Sequence, residues 1–376
     1  MIVVEIVFWV CLVMTVYPYI IYPLVVVAWS RVGGRSWVQG EECPRISLLI
    51  SVYNEAGVIR QKLDNALALD YPADRLEIVV VSDGSTDATN EIVSCFDDSR
   101  VVLKAYDRAG KTACLNRAVG ELTGDIVVCT DANSMFPPQA LTRIARNFAD
   151  EQVGLVTGWT RYRRPGSEEE EAPGLYARLE KMTKEGESLV SSCVGADGAI
   201  FALRRPLYRR LEEYDINDFV IPLHVLEQGR RVVLDADVFC LEEPSEEAGK
   251  EFRRQARMTN RTLGAIRRNA HFLNPFQHGS FAFFLLSHKV LRFMTPLFAL
   301  GALLTSVLLL ATAGVYVLLF VLIMLLMIAG LVGLLGWAHS RIIDLCATFL
   351  LTNAGQVVGW FRFLTGRADT MWTPQR

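Results

Sequence analysis

Hydrophobic residues are distributed along the chain in two patterns, which divide it into three regions. Residues 6–29 and 293–338 contain no charged side chain over 24 and 46 positions. One membrane-spanning helix needs about 20 apolar residues, so the first stretch predicts one span and the second predicts two. From residue 41 to about 270, short apolar runs alternate with amphipathic stretches. That alternation is typical of an α/β domain with a mainly parallel sheet.

The alternating region predicts strands and helices in the order βαβαβαβα. The candidate strands are residues 46–52, 76–82, 101–104, 125–130 and 153–160. The candidate helices are residues 58–69, 88–96, 111–119 and 138–148. Farther along, an acidic run at 168–171 is expected to open a helix that ends near residue 191, since acidic side chains favour a helix N-terminus.

The basic residues next to the apolar stretches predict the orientation of the chain. Arg31 and Arg35 follow the first stretch, and by the positive-inside rule they place the next domain in the cytoplasm. We therefore predict a multi-pass protein of the cell (inner) membrane. Its expected parts are an N-terminal anchor, a cytosolic domain, an interfacial helix region, and C-terminal spans with a short tail: residues 1–30, 41–270, 271–293 and 294–376.

Two segments near the C-terminus are amphipathic instead of uniformly apolar. Residues 281–293 place Phe and Leu beside His288, Lys289 and Arg292, which predicts a helix on the membrane surface. Residues 342–361 are long enough to span a membrane but contain Asp344. The expected total is therefore three or four spans, and the side of the C-terminus depends on which is correct.

Composition excludes several classes of protein. The chain is 51% hydrophobic and 21% charged with a net charge of −3, which is unlike a disordered chain or a basic nucleic-acid binder. Its eight cysteines are scattered without a C-x-x-C pair, so we expect reduced thiols and no zinc site. The uncharged stretches hold no ionisable residue to mark a transport pathway, which argues against a transporter.

Polar clusters follow the first, second and fourth predicted strands, at the edge where ligands of such sheets bind. Asp83 ends the second strand and is followed by a turn glycine. Its carboxylate is expected either to hold a nucleoside or to belong to a helix-capping turn. Asp131 and Asn133 follow the fourth strand two residues apart. Together they can reach one hard cation, Mg²⁺ or Mn²⁺, whose other ligands are waters and substrate phosphates.

Several segments, taken in order, resemble the membrane-bound inverting glycosyltransferases of family 2, which include the cellulose and hyaluronan synthases. The segments are Val52-Tyr53-Asn54-Glu55, Asp83-Gly84-Ser85-Thr86-Asp87, Gly110-Lys111-Thr112-Ala113-Cys114-Leu115-Asn116, Asp131-Ala132-Asn133, Gly195-Ala196-Asp197-Gly198-Ala199 and Asn217-Asp218. The resemblance implies a GT-A-type fold with a mainly parallel sheet and transmembrane helices at both ends. It also implies a nucleotide diphosphate sugar as donor, with a UDP-sugar expected. The acceptor would be a saccharide or lipid-linked hydroxyl.

The same resemblance assigns a role to individual residues. Asp218 would be the catalytic base. Asp131 and Asn133 would hold the metal. The expected nucleotide-sugar contacts are Asn54, Glu55, Asp83, Lys111, Asp131 and Arg257. The expected acceptor-side residues are Gly195, Gly198, Asn217 and Met258.

Ordinary structural roles compete with several of these assignments. Lys111 could be a surface lysine, and Asp218 could cap the helix predicted at residues 218–228. The glycines could be turn residues. Arg257 lies in a basic amphipathic stretch, 247–268, which could rest on anionic lipid.

The sequence departs from the family at the stretch where processive members carry Q-x-x-R-W. Arg254 stands in place of the glutamine and Met258 in place of the tryptophan on which a sugar would stack. This favours addition of one or a few sugars over polymer synthesis, unless Trp159 or Trp360 supplies a ring and a homo-oligomer or transport partner completes a channel. A processive synthase and a polyprenyl-phosphate glycosyltransferase are the alternatives.

Overall fold

The computed structural model describes residues 1–163, 170–171, 173–243 and 248–367. Its strands are β1 Ile46–Val52, β2 Leu76–Asp83, β3 Val101–Tyr106, β4 Ile126–Asp131, β5 Val153–Tyr162, β6 Ile200–Arg204 and β7 Arg231–Glu242. Its helices are α1 Ile2–Val16, α2 Tyr22–Gly33, α3 Ile59–Leu67, α4 Thr89–Ser94, α5 Lys111–Ala118, α6 Ala140–Ala145, α7 Leu175–Val190, α8 Asn217–Glu227, α9 Ala248–Arg268, α10 Pro275–His278, α11 Ser280–Leu285, α12 Thr295–Leu309, α13 Gly314–Leu334 and α14 Arg341–Leu364.

The seven strands form one sheet in the order β3-β2-β1-β4-β6-β5-β7. The first four neighbours pair in parallel, β6 runs antiparallel between β4 and β5, and β5 pairs with β7 in parallel. The predicted mainly parallel α/β fold is confirmed. All five predicted strands are present, whereas β6 and β7 were missed. β6 is only five residues long, and Asp235 and Asp237 interrupt the apolar run of β7.

Both faces of the sheet are covered. Every residue of β1 is buried, which explains why this strand reads as a continuous apolar run. Cores on the two faces share the strands between them, and one also contains Tyr22 and Val26 of α2. The N-terminal apolar helix is therefore packed against the α/β domain at its C-terminal end.

Three helical segments are long and apolar enough to cross a membrane: Ile2–Gly33, Gly314–Leu334 and Arg341–Leu364. A fourth candidate is a pair of helical pieces, Ser280–Leu291 and Thr295–Leu309, bent by 60°. The predicted total of three or four spans agrees with these lengths. The first of the two passes predicted within 293–338 is shorter than expected, because α12 has only 15 residues. It is long enough to span only with the bent segment that precedes it.

The basic residues of the predicted interfacial helix contact α7 instead of facing solvent. His288 is 2% exposed and faces Glu187 and Glu180, and Arg292 donates to Glu180 at 2.9 Å. His288 and Arg292 therefore bind acidic side chains of α7, and the predicted position of this helix on the membrane surface stays a prediction.

The acidic run does not open α7, which begins at Leu175. Glu170 instead pairs with Arg161 at 3.1 Å, upstream of the helix. Glu168 lies outside the described residues, as does the predicted C-terminal tail from residue 368.

The amphipathic helix α9 joins the C-terminal apolar helices to the α/β domain. A Cβ added at Gly359 of α14 would lie 2.5 Å from Thr259 Cβ, so the two helices approach closely. On its other side, Arg261 of α9 donates to the Asp215 carbonyl at 2.7 Å, and Arg268 pairs with the Asp215 carboxylate. The helix predicted at 247–268 is therefore present, and part of its basic face contacts protein.

Candidate functional site

The turns after β1 and β2 are connected by hydrogen bonds. Asn54 has a φ of 53°, in the left-handed region that asparagine tolerates better than most residues. Its Oδ1 accepts from the Thr86 N–H at 2.8 Å, and its own N–H donates to Ser85 Oγ at 3.1 Å. The neighbouring Glu55 is 3% exposed, and its N–H donates to Thr89 Oγ1 at 2.8 Å. The first two predicted donor-site segments are thus brought together.

Asp83 ends β2 and binds the loop that leads into α5. Its carboxylate is 2% exposed and accepts from the Ala109 N–H at 2.7 Å and the Gly110 N–H at 2.9 Å. Arg108 pairs with the same carboxylate and lies 3.4 Å from the centre of the Tyr53 ring. Asp83 therefore positions this loop, and a nucleoside reaches the carboxylate only if Arg108 moves. Its predicted nucleoside contact stays a prediction.

Lys111 and Asp131 form an ion pair at the centre of the candidate donor site. Lys111 is the first residue of α5 and follows Gly110, whose φ of 91° requires glycine at that turn. Its Nζ lies 2.5 Å from Asp131 Oδ1. Burial lowers the pKa of Lys111, but Asp131 and then Asp218 raise it more, so the ammonium is held charged. This contact excludes the interpretation of Lys111 as a surface lysine.

Asp131 and Asn133 lie in the turn after β4, and both are partly exposed. Within the described ranges, no three or more His, Cys, Asp or Glu residues are grouped so as to hold a metal ion. A Mg²⁺ or Mn²⁺ ion that keeps waters and substrate phosphates needs only one or two protein oxygens. One carboxylate and one amide oxygen beside a partly exposed turn fit that requirement.

Asp218 lies in the first turn of α8, within the helix, and Ile216 is the N-cap residue. No side chain caps this helix, so the interpretation of Asp218 as an N-cap is wrong. The turn 195–198 folds around the residue: the Ala196 N–H donates to the Asp218 carbonyl at 2.7 Å. A Cβ added at Gly198 would lie 3.0 Å from Asp218 Oδ2, so the missing side chain leaves room for the carboxylate.

The pKa of Asp218 is set by burial and by nearby charged side chains, three of which are lysines. Burial raises its pKa, and Asp197 adds to that effect. Lys111, Lys289 and Lys184 lower the pKa, but it stays above the ordinary value for an aspartate. A carboxylate whose proton affinity is raised in this way is a better base than a solvated one. Beside it, Asn217 is 8% exposed, and its Nδ2 has no hydrogen-bond partner in the described part of the chain.

Arg257 and Met258 are partly exposed residues in the first half of α9. Arg261, one turn farther on, contacts the Asp215 loop. Arg254 lies one turn earlier. Burial lowers the pKa of its guanidinium, but Glu251 and more distant acids, including Glu242, raise that pKa by more. The helical period places Arg257 and Met258 between these two neighbours. Their predicted roles at the diphosphate and the acceptor remain predictions.

Sequence reasoning missed two ionisable residues near the Asp131 turn, the buried Lys62 and the partly exposed Glu242. Lys62 is fully buried, donates to the Ser134 carbonyl and to Thr130 Oγ1 at 3.2 Å, and burial lowers its pKa to about 8. Glu242 accepts from Ser134 Oγ. Burial, with a contribution from Asp131, raises its pKa to about 7. Lys62 lies on the apolar face of α3. A lysine at a position that the helical pattern predicts to be buried was the sequence signal that could have identified it.

A third missed residue, Asp197, holds the turn around Asp218. Its carboxylate accepts from the Thr160 N–H at 2.9 Å, the Ala199 N–H at 3.0 Å and the Thr160 hydroxyl. Because its hydrogen bonds go to neighbouring protein groups, Asp197 is a positioning residue. It fixes the segment that encloses the catalytic candidate.

Comparison with known proteins identifies the segment that contains most of these residues. Residues 47–211 match the family model "Glycosyl transferase family 2". A probable glycosyltransferase, YdaM, from Bacillus subtilis is 37% identical over 125 residues, which are 31% of this chain and 30% of the relative. The poly-β-1,6-N-acetyl-D-glucosamine synthase of Staphylococcus aureus is 32% identical over 130 residues, 34% of this chain and 31% of the synthase. The matches thus span about a third of these relatives' lengths.

The overall fold is similar to that of a solved enzyme. The mannosyltransferase PcManGT from Pyrobaculum calidifontis superposes with a TM-score of 0.73 at 22% identity, over 97% of this chain and 99% of that one. The similarity covers the helices at both ends as well as the sheet domain, and it agrees with the GT-A-like arrangement of strands. Residues 47–211 are therefore a glycosyltransferase family 2 domain, and the structural similarity shows that its fold is GT-A-like.

Proposed function

We propose that the protein is a membrane-bound inverting glycosyltransferase. It moves a sugar from a nucleotide diphosphate sugar, with a UDP-sugar expected, to a hydroxyl of a saccharide or lipid-linked acceptor at the cytoplasmic face of the cell membrane. The observation that carries the proposal is the position of Asp218 against the turn 195–198. The charge of Lys111 lowers the pKa of Asp218, and the same lysine pairs with Asp131. The candidate spans support the membrane location.

On the donor side, the start of α5 is arranged to accept negative charge. The backbone N–H groups of a helix N-terminus point toward an anion, and the Lys111 ammonium adds a full charge there. These groups would stabilise the diphosphate as its bond to the sugar breaks. A Mg²⁺ or Mn²⁺ ion held by Asp131 and Asn133 would supply further electrostatic stabilisation of that charge. The mannosyltransferase of similar fold was solved with GDP-Man and Mn²⁺, which supports a donor and metal of this kind.

On the acceptor side, Asp218 would take the proton from the acceptor hydroxyl. The oxygen attacks the anomeric carbon as the bond to the diphosphate breaks on the opposite face, and the configuration inverts. The raised pKa of Asp218, which arises from burial, suits this role. Arg257 is expected to assist the departing diphosphate, since a guanidinium can contact two of its oxygens.

A second candidate function is processive polysaccharide synthesis, which the name of the Staphylococcus relative favours. The two tryptophans that could replace the missing platform are both engaged elsewhere. Trp159 donates to the Ala236 carbonyl at 3.0 Å, with Arg161 and Lys181 near its ring. Trp360 donates to the Phe293 carbonyl at 2.6 Å. These contacts favour addition of one or a few sugars.

The general test is release of nucleotide by the purified full-length protein in detergent. A panel of UDP- and GDP-sugars is incubated with a membrane lipid extract and Mn²⁺ or Mg²⁺. We expect one donor to release nucleotide faster with the extract than without it. No release from any donor with either metal would contradict the proposed function.

Replacing Asp131 with alanine is expected to weaken nucleotide binding in the presence of Mn²⁺ and to remove most of its metal dependence. The change deletes a predicted metal ligand and leaves Lys111 without its close partner. Nucleotide titration with and without Mn²⁺ measures the effect. Asp237→Ala is the control, since this carboxylate is 65% exposed and pairs with Arg146. Equal titrations for wild type and Asp131→Ala would show that Asp131 is structural.

The size distribution of the product tests limited addition. At high donor concentration we expect a uniform mass increase of one or a few sugars per acceptor. Met258 offers polarizable contact but no flat ring to hold an extended chain. Long polymer accumulating beside unused acceptor would instead show processive synthesis.

A further inference from the structure

A second group of cationic side chains lies beside Asp218, apart from the Lys111–Asp131 pair. Lys184 comes from α7, and Lys289 from the helical turn Leu286–Leu291 that follows α11. A Cβ added at Gly195 would lie 3.6 Å from the Asp218 carbonyl oxygen and 4.0 Å from Lys289 Cε. Lys289 and Asp218 therefore flank the same glycine turn.

The acids nearest these lysines are already engaged. Glu187 accepts from the Tyr22 hydroxyl at 2.6 Å and the Val194 N–H at 2.9 Å, and it also bonds His288. Glu180 is shared by Arg292 at 2.9 Å and His288 at 3.1 Å. Glu180 is therefore left as a distant partner of Lys184, and within the described part of the chain neither acid forms an ion pair with Lys289.

Lys289 is consequently short of anionic partners, whereas burial lowers the pKa of Lys184 but Glu180 and other acids raise it more. Lys184 reaches Glu180 only at 4.0 Å, although its side chain is just 12% exposed. Lys289 is partly buried and makes no hydrogen bond or ion pair with any residue inside the described ranges. A desolvated ammonium without a partner is costly, and a second one nearby adds repulsion. Such a pair is stabilised when a ligand brings negative charge.

We propose that Lys184 and Lys289 bind the phosphate of a lipid phosphate-linked acceptor and so hold the acceptor's sugar hydroxyl against Asp218. This inference rests on the proposed function and specifies its acceptor. Lys289 belongs to the bent segment Ser280–Leu291, which continues into the apolar helix α12. A phosphate at this point would lie where a lipid tail can remain among the apolar helices. The donor diphosphate has its own cationic partner in Lys111.

The closeness of this anion site to Asp218 sets the size of the acceptor. A phosphate held next to the Gly195 turn leaves room for only a short saccharide between it and the base. Each added sugar would carry the reacting end of a growing polymer away from the phosphate. The site therefore suits a single early addition to a lipid phosphate or diphosphate sugar, in agreement with the limited addition proposed above.

Binding of two lipids that differ only in the phosphate tests this inference. Polyprenyl phosphate and polyprenol of the same chain length are titrated into the full-length protein in detergent micelles, with bound lipid measured by native mass spectrometry. We expect wild type to prefer the phosphate form by about tenfold or more, the scale of one charge-assisted contact. Lys184→Met and Lys289→Met should each remove most of that preference, and Lys289→Arg should retain it.

Lys181→Met is the matched control on α7, because Lys181 pairs with Glu185 at 3.3 Å and lies over Trp159. Equal binding of the two lipids by wild type would overturn the inference, as would an unchanged preference in a Lys184→Met/Lys289→Met double variant. Competition by phosphatidylglycerol as strong as by polyprenyl phosphate would also overturn it, by showing a general headgroup site. Elution profiles confirm that each variant is folded, and Lys289→Arg tests the charge without removing the side chain.

Donor turnover measured in parallel separates this inference from the proposed function. Wild type that releases no nucleotide from any donor rejects the proposed function, whichever lipid it binds. Normal nucleotide release combined with lipid binding that ignores both lysines rejects only the acceptor phosphate site.

Discussion

Replacing Asp218 with asparagine is expected to reduce sugar transfer by about 10²-fold or more while nucleotide binding stays nearly unchanged. The amide keeps the shape that fits beside Gly198 but cannot accept the proton of an acceptor hydroxyl. The nucleotide is expected to bind around Lys111 and Asp131, whose contact does not involve Asp218. Transfer rate and nucleotide affinity, measured on the same preparation, separate these two effects.

The pH dependence of transfer provides a second readout for the same residue. The base must be deprotonated to act, so activity should fall as pH drops through its pKa. Burial raises that pKa, and the fall should begin at a higher pH than for a solvated aspartate. In Asp218→Asn the residual rate should lose this acid limb.

Glu213→Gln is the matched control for this experiment, because Glu213 is an exposed acid in the loop before α8. It should transfer sugar at the wild-type rate. Asp218→Asn activity within a few-fold of wild type would refute the assignment. That outcome would favour the polyprenyl-phosphate alternative, in which the acceptor is already an anion and no strong base is required.

The parallel half of the sheet could be predicted from the sequence because its physics is local. Strands such as β1 are apolar throughout since both faces are covered, and each ends at a polar cluster. Those clusters also revealed Asp83 and Asp131 as candidates, whereas Lys111 and Asp218 came from the resemblance to the family. The structure brings Lys111 onto Asp131 at 2.5 Å and places Asp218 within their electrostatic reach.

Contacts between distant segments could not be predicted in the same way. The apolar pattern gave no sign that Arg108 would occupy the Asp83 carboxylate, or that Glu242 would lie below Asp131. Lys289 was read as part of a membrane-surface helix, because its helix is amphipathic. Its position beside Gly195 depends on how that helix docks on α7. Docking of this kind is a tertiary property with no local sequence period.

The docking is achieved by a buried polar network that joins three segments of the chain. Glu187 of α7 is 0% exposed and sits between Tyr22 of α2 and His288. Its second oxygen accepts from the Val194 N–H, just before the glycine turn around Asp218. One carboxylate thus ties the N-terminal apolar helix and the segment carrying Lys289 to the residue that precedes the glycine turn 195–198.

Replacing Glu187 with alanine is therefore expected to destabilise the protein by about 3 to 5 kcal/mol, the usual cost of removing one partner from a buried charged pair. The change leaves the Tyr22 hydroxyl, His288 Nδ1 and the Val194 N–H without their common partner in a buried site. The measurement is the temperature at which half of the detergent-solubilised protein loses its monodisperse elution peak. Glu187→Gln, which keeps one acceptor oxygen, should fall between alanine and wild type.

Glu185→Ala provides the comparison on the same helix, since Glu185 is 33% exposed and pairs with Lys181 at 3.3 Å. An exposed ion pair of this kind contributes little to the free energy of unfolding, so the melting temperature of Glu185→Ala should stay near that of wild type. If Glu187→Ala and Glu185→Ala had the same melting temperature, the network would not hold the helices to the domain. If it melted early but kept its affinity for nucleotide at low temperature, the donor site would be independent of the network. We expect that second pattern, because the Lys111–Asp131 pair depends on the sheet and α5, and Glu187 contacts neither of those two residues.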